Sequence, residues 1–304
     1  MGTNLPDSIL FDTEWGTLTQ FVDLPLIDQP FYGDAIYSFK DELKMLGVII
    51  DFNEGAHFVA GGLKLPPEEP ALIKADSALS LLQCVTSLRN SNKPSNQSLL
   101  EPLLKKLRGS KWLKTHMGYR SPEESVLYDA EWECHLNQLD APFIDQEYHG
   151  TFSSVEKDVL KAIGVKTDIE EVCTLISQIL TSHTQTCSIM RIYRFLEKFK
   201  WTPKFPGNYI YNVWIPDQHD TGGGKWVYWW NCILHDRSNL FGSHLHALDK
   251  YYEKELLPFL SMAFQVAEVL SFNKYLDLWN DWARGKQQGS PAELTSFWGY
   301  ISEN

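Results

Sequence analysis

Several common signatures are missing from this 304-residue chain, and each absence narrows what it can do. Its five cysteines (Cys84, Cys134, Cys173, Cys187 and Cys232) are far apart and form no C-x-x-C, which removes zinc knuckles and dithiol redox motifs from consideration. The odd number fits reduced, mostly buried thiols. Clustered basic residues are scarce, and the net charge is −12. Binding nucleic acid through phosphates needs a lysine- and arginine-rich face, and the densest basic run, Leu103–Lys114, reads as a solvated helix end followed by a loop. No apolar run approaches the ~18 residues of a membrane span. The opening MGTNLPDSIL has neither a basic segment nor an apolar one, so no secretory signal is expected there. Its sixth residue, Pro6, does not suit a myristoylation signal. The expected setting is intracellular, cytoplasmic or nuclear, without membrane or nucleic-acid partners.

Catalytic and cofactor signatures are equally sparse. Gly222-Gly223-Gly224-Lys225 resembles a phosphate loop, but His219 and Trp226 stand where such a loop needs Gly and Ser/Thr. The run also precedes a strand pattern and reads as a hairpin turn. His244 and His246 fall at an expected helix start, capped by Ser243. Residues two apart on a helix point about 200° away from each other, so the pair is not read as a metal chelate. No G-x-S-x-G, H-E-x-x-H or dinucleotide fingerprint occurs. The expectation is no catalytic residue, no cofactor and no metal.

Aromatic and repeated sequence is plentiful. The chain is 43% hydrophobic and 13% aromatic, with eleven Trp, enough for a substantial core. Shifted by 117 residues, Ser8–Glu54 aligns without a gap to Ser125–Glu171. The identities include Asp12/Asp129, Glu14/Glu131, Trp15/Trp132, Asp23/Asp140, Pro25/Pro142, Gly33/Gly150 and Gly47/Gly164, together with Ile27-Asp28-Gln29 matching Ile144-Asp145-Gln146. This is an internal repeat. Ile9, Phe11, Thr13 and Trp15 alternate as on a strand face, as do Val126, Tyr128, Ala130 and Trp132. A loop follows, then a helix with Phe39, Leu43 and Leu46 on one face, ended by Gly47. In the second copy Ser153 and Glu156 form a capping box and Gly164 is the stop.

Beyond these stops the copies diverge. Apolar runs around Asn53-Glu54-Gly55 predict a β-hairpin, which after a helix would be similar to a winged helix without its basic face. Helices are expected over 75–90, 98–109, 168–183 and 187–199. From Trp201 the pattern predicts two strands, a helix from Ser243 and a final helix over 272–285. The overall expectation is an α+β fold of tandem strand-loop-helix units with additional helices and short antiparallel strands. Unit 1 is residues 1–111 with the hairpin insert, unit 2 is 112–200, and an aromatic-rich third segment covers 201–304.

The paired carboxylates Asp12/Glu14 and Asp129/Glu131 could form an acid–base site if both faced one pocket. They recur together with the Trp and the apolar strand around them, which favours a structural role, with Trp15 and Trp132 as core anchors. Trp226, Tyr228 and Trp230 share one face of a predicted strand. They read either as core of a strand buried on both sides or as recognition residues for a protein partner.

The pattern L-(F/Y)-D-x-E-W, then P-(L/F)-I-D-Q, with WLKTHMGYRSPEES between the copies and GKWVYWWNCILHD and YYEKELLPFLSMAF later, resembles the inter-domain repeats of plant NO VEIN-like proteins. These are large sacsin-related chains with an Hsp90-type ATPase domain near one end. The resemblance implies a copy of the repeat region without the ATPase, since neither an E-N-x-x-D-A helix nor a D-x-G-x-G loop occurs here. The first functional expectation is a non-enzymatic interaction, scaffold or adaptor module that binds or titrates a protein partner. Two alternatives stand beside it: a component of an ATP-dependent Hsp90-like system whose ATPase lies elsewhere, and a hydrolase using the repeated Asp and Glu.

Overall fold

Three leucine- and alanine-lined helices organise the first half of the chain, and aromatic side chains organise the second. The structure is a computed structural model describing residues 15, 17–66, 69–132, 134–203, 212–217, 222–236, 245–268, 272–284 and 290–303. It is α+β and separates into two compact units. One comprises 1–130 with 141–168, and the other 131–140 with 169–304. The threefold division at 111 and 200 does not follow these boundaries.

The first unit opens with the short helices α1 (Gln29–Tyr32) and α2 (Lys40–Met45), separated by a 3-10 segment, Asp34–Phe39. None of the three contains a buried residue. The expected cap Ser38 lies inside the 3-10 segment, and Phe39 and Leu46 are exposed. Next come α3 (Phe52–Gly62), α4 (Ala75–Asn90) and α5 (Pro94–Gly109), which pack on one another. The hairpin expected after Val48 is α3 instead. Asp51 caps it, its carboxylate accepting from the Asn53 N–H at 2.7 Å. Phe52, Ala56, Val59 and Ala60 then recur at helical spacing and are buried. On α4 the buried stripe is Ala78, Leu81, Leu82, Val85 and Leu88.

An antiparallel hairpin, β1 (Leu113–Thr115) with β2 (Gly118–Arg120), leads into the second copy of the repeat. The strand expected over 126–132 does not form. Val126 makes single parallel bridges to Phe143 and Lys166, and Ala130–Trp132 is a 3-10 turn. Its counterpart over residues 9–13 lies outside the described residues. Helices α6 (Gln146–His149) and α7 (Ser154–Ala162) complete this unit, the second with the expected Ser153/Glu156 capping box. Trp15 is fully buried and stacks on Phe52 (centroids 4.2 Å, interplanar 24°).

In the second unit, α8 (Ile169–Ile179) and α9 (Thr186–Lys198) fall where the sequence predicts them. Buried Ile189, Ile192, Tyr193, Phe195 and Leu196 line one side of α9. Trp132 is buried edge-on to Phe195. Strands β3 (Asn212–Pro216) and β4 (Gly224–Tyr228) are antiparallel, and β3 packs on α9. A second pair, β5 (Cys232–Ile233) and β6 (His246–Ala247), is parallel. The helix expected from Ser243 is replaced by β6, a 3-10 turn at Leu248–Lys250 and then α10 (Leu257–Phe264). Ser243 itself is outside the described residues. Helix α11 (Phe272–Ala283) is not the last, because α12 (Pro291–Glu303) follows it.

Candidate functional site: an aromatic shelf on an edge strand

Strand β4 has one neighbour, β3, among the described residues. The register sets Trp214 opposite Trp226 and Asn212 opposite Tyr228. Just beyond the pair's end, the Asp217 N–H donates to the Gly223 carbonyl at 3.0 Å. Hydrogen-bonded pairs alternate along an antiparallel ladder, so Ile215/Lys225 and Val213/Val227 are the bonded pairs. The main-chain groups of Trp214 and Trp226 therefore point away from the ladder. On β3 they are sealed: the Trp214 N–H donates to the Tyr193 hydroxyl at 3.1 Å, and the Tyr252 hydroxyl donates to the Trp214 carbonyl. On β4 the corresponding N–H and C=O of Trp226 face the outer edge, where no strand pairs among the described residues.

The side chains grade from core to surface along β4 and into the 3-10 turn Trp229–Asn231 that ends it, so Trp230 does not share the strand face expected for it. Trp214 is buried and packs edge-on to Trp226 at 5.2 Å. It lies over Gly224, where a Cβ would come within 2.6 Å of its ring and 2.5 Å of the Ile215 carbonyl, so glycine is required there. Trp226 is half-buried and donates its indole N–H to the His183 carbonyl at 3.0 Å. Tyr228 and Trp230 are exposed, at 46% and 43%. They stack on each other with centroids 4.4 Å apart and planes 8° from parallel, and Trp229 meets Trp230 edge-on. The reading of this strand as core buried on both sides is thereby overturned, because a two-stranded sheet leaves its outer strand wet. Of the three candidate residues, Tyr228 and Trp230 form the shelf, and Trp226 ties it to the core. Sequence reasoning did not single out Trp214 or His183, which hold the shelf in place, and it placed Gly224 in a turn where the structure has it in β4. The GGGK run supplied a signal, since a small residue is needed where a tryptophan crosses a strand.

Lys225 on β4 is exposed. Burial lowers the pKa of His246, and the nearby Lys225 ammonium lowers it further, which favours a neutral imidazole there. His246 sits on a strand and not a helix, while His244 is outside the described residues. No group of His, Cys, Asp or Glu among the described residues could hold a metal ion.

Asp12 and Glu14 lie outside the described residues, and Asp129 and Glu131 are exposed. Two clefts occur in the second unit. One of about 280 Å³ is lined by Ile169, Cys173, Phe199 and Trp201, among others. Burial pushes the Cys173 thiol up to about 12, which keeps it protonated and poorly nucleophilic. The other, about 430 Å³, is lined by His235, Lys254, Ser261, Met262 and Glu268, among others. His235 Nδ1 lies 2.9 Å from Asp249 Oδ2, but the Ser261 hydroxyl donates to the Val266 carbonyl, a bond that does not activate it toward attack. No helix of the described residues is long and apolar enough to cross a membrane. No family model matches the chain, and neither a curated protein nor a solved structure matches it.

Proposed function

We propose that the protein is a non-enzymatic interaction module whose recognition surface is the Tyr228–Trp230 shelf beside the free edge of β4. The single observation behind this reading is the pair of parallel, stacked, exposed rings at the end of β4, Tyr228 its last residue and Trp230 in the 3-10 turn that follows, beside an edge that pairs with no other strand among the described residues. Rigid aromatic anchors supply much contact area at low entropic cost, and an edge strand offers main-chain pairing. The occupant is an extended polypeptide segment that hydrogen-bonds to β4 and lays an apolar or basic side chain on the shelf. The net charge of −12 favours basic or mixed partners over acidic ones. All five cysteines are unpaired, which suits a reducing compartment, cytoplasm or nucleus. The resemblance to the repeat region of NO VEIN-like chains, separate from their ATPase, supports the same scaffold or adaptor reading.

The test is selection from a random-peptide library on the whole chain, with Trp230→Ser as the counter-target. Enrichment of extended sequences that bind the parent chain and lose at least tenfold in affinity with Trp230→Ser is expected. Equal binding to both chains would remove the shelf from the reading. A thermal shift with Mg-ATP would favour membership of an ATP-dependent system, and turnover lost in Glu131→Gln would favour a hydrolase.

A further inference from the structure

The two copies of the repeat share local geometry but not burial, and the difference identifies a second docking surface. Asp28 and Asp145 each accept from the main-chain N–H three residues on, at 3.2 and 3.0 Å. Each caps a single helical turn that ends at a glycine of positive φ, Gly33 (72°) and Gly150 (80°). The second helices end alike at Gly47 (90°) and Gly164 (105°). The Val48 N–H then bonds the Leu43 carbonyl and the Val165 N–H the Leu160 carbonyl, both at 3.0 Å. Residues 25–48 and 142–165 thus share their Asp cap and both glycine stops, although a 3-10 segment, Asp34–Phe39, precedes α2 where the second copy already enters α7 at Ser154.

In the second copy the module is covered. Phe143, His149, Leu160 and Ile163 are buried, and Leu160 and Ile163 belong to the core cluster of the first unit. The covering element is α4, packed on α6 and α7, and α5 reaches the module at its C-terminal end. Arg108 at the end of α5 donates to the Ala162 carbonyl at 2.9 Å, and the Tyr148 hydroxyl donates to the Ile73 carbonyl just before α4 at 3.0 Å. In the first copy three of the four counterparts are open: Leu26 for Phe143, Tyr32 (59% exposed) for His149, and Leu46 (66%) for Ile163, while Leu43, for Leu160, is half-buried. Phe31 and Met45 extend the patch. Apolar surface of this extent, repeated in a covered form in the same molecule, marks a contact face.

We propose that residues 25–48 dock a pair of antiparallel amphipathic helices from another chain, of the chemistry that α4 and α5 present to the second module: a leucine-lined face with a basic C-terminal half. Charge supports this choice of occupant. The open module carries Asp28, Asp34, Asp41 and Glu42 against Lys40 and Lys44, and α5 carries Lys105, Lys106 and Arg108 against Glu101. Met45 is the repeat counterpart of Ala162, whose carbonyl receives Arg108, so its carbonyl is the acceptor the proposal assigns to an arginine at the end of the incoming helix. This surface belongs to the first unit and the aromatic shelf to the second, so the two readings are tested separately.

The experiment titrates the whole chain with a cross-linked synthetic helical hairpin of residues 74–110, its helicity confirmed by circular dichroism, and follows fluorescence anisotropy. Saturable binding is expected. Leu46→Lys in the chain, or Arg108→Glu in the probe, should weaken it at least tenfold, whereas Val155→Lys on the second module should leave it unchanged. Because Leu46 is exposed, Leu46→Lys should melt like the parent chain. No saturation below about 100 µM would overturn the proposal. So would undiminished binding to Leu46→Lys, which would mean that the probe displaces the chain's own helices. Concentration-dependent self-association abolished by Leu46→Lys would overturn it as well, by assigning the face to a second copy.

Discussion

Truncating Trp15 to alanine separates a core role from a recognition role. The indole is fully buried and lies face-on to Phe52, the first buried residue of α3. Its loss removes transfer energy and leaves a cavity bounded by that ring, and large-to-small changes of this kind cost ~3–5 kcal/mol. At roughly 2–4 °C per kcal/mol for a unit of this size, the melting temperature should fall by about 6–20 °C. The indole N–H meets no acceptor among the described residues, so Trp15→Phe forfeits area but also removes an unsatisfied donor, and should cost less than half as much. Trp230→Ser on the exposed shelf should melt within about 2 °C of the parent chain, as ordinary surface substitutions do. Thermal denaturation followed by circular dichroism measures all three. If Trp15→Ala melts with the parent chain, the anchoring role of the repeated tryptophan is wrong.

Further outcomes follow from individual groups. Asp140 is wholly buried and receives two bonds from the Arg191 guanidinium, at 2.7 and 2.9 Å. Asp140→Asn should cost about 2 kcal/mol in chemical denaturation, below the ~3–5 of a fully buried pair because Arg191 is partly exposed. A double-mutant cycle with Arg191→Met should recover most of that as coupling. Burial lowers the pKa values of His149, His183 and His246 below the ordinary 6.5, so near and below that pH the unfolded chain binds protons the folded chain does not. Stability should be full above pH 6.5 and decline as the pH falls below it, with a smaller decline in His149→Gln; a flat profile between pH 7.5 and 5.5 would contradict this, the range being set about one unit either side of the unperturbed value. Gly164 sits at φ 105°, and a Cβ there would lie 2.9 Å from Glu123 Cγ, so Gly164→Ala should destabilise by more than ~1 kcal/mol. In the native chain a thiol reagent should label exposed Cys134 and Cys187 and spare Cys84, Cys173 and Cys232, whose burial raises their pKa values; a native titre of five would refute that placement.

The sequence was most legible where local rules are strong. The stripes of α4 and α9 and the Ser153/Glu156 box follow from spacing and capping chemistry. It misled where two local codes compete. Asn53-Glu54-Gly55 suits a turn, but Asp51 can cap a helix there, and Phe52, Ala56, Val59 and Ala60 need a helix to share a face. Alternation at Val126, Tyr128, Ala130 and Trp132 suits a strand. The chain instead spends Val126 on bridges to Phe143 and Lys166 and then tightens into a 3-10 turn, which carries Trp132 against Phe195.

The candidate site depends on information that no local pattern holds. Five residues alternating Trp, Val and Tyr look the same whether a strand lies at the centre of a sheet or at its edge. Only the number of neighbouring strands decides whether Tyr228 is core or shelf. The repeat makes the same point within one chain. Identical Ile-Asp-Gln turns and identical glycine stops give Leu26 and Phe143, or Leu46 and Ile163, equivalent places in equivalent modules. One module lies under α4, with the end of α5 against it, and the other is largely open, so similar local folds yield a core in one case and a surface in the other. An open face built to a covered pattern keeps the shape of its missing cover. The covered copy therefore predicts the partner of the open one, down to the arginine that should meet the Met45 carbonyl.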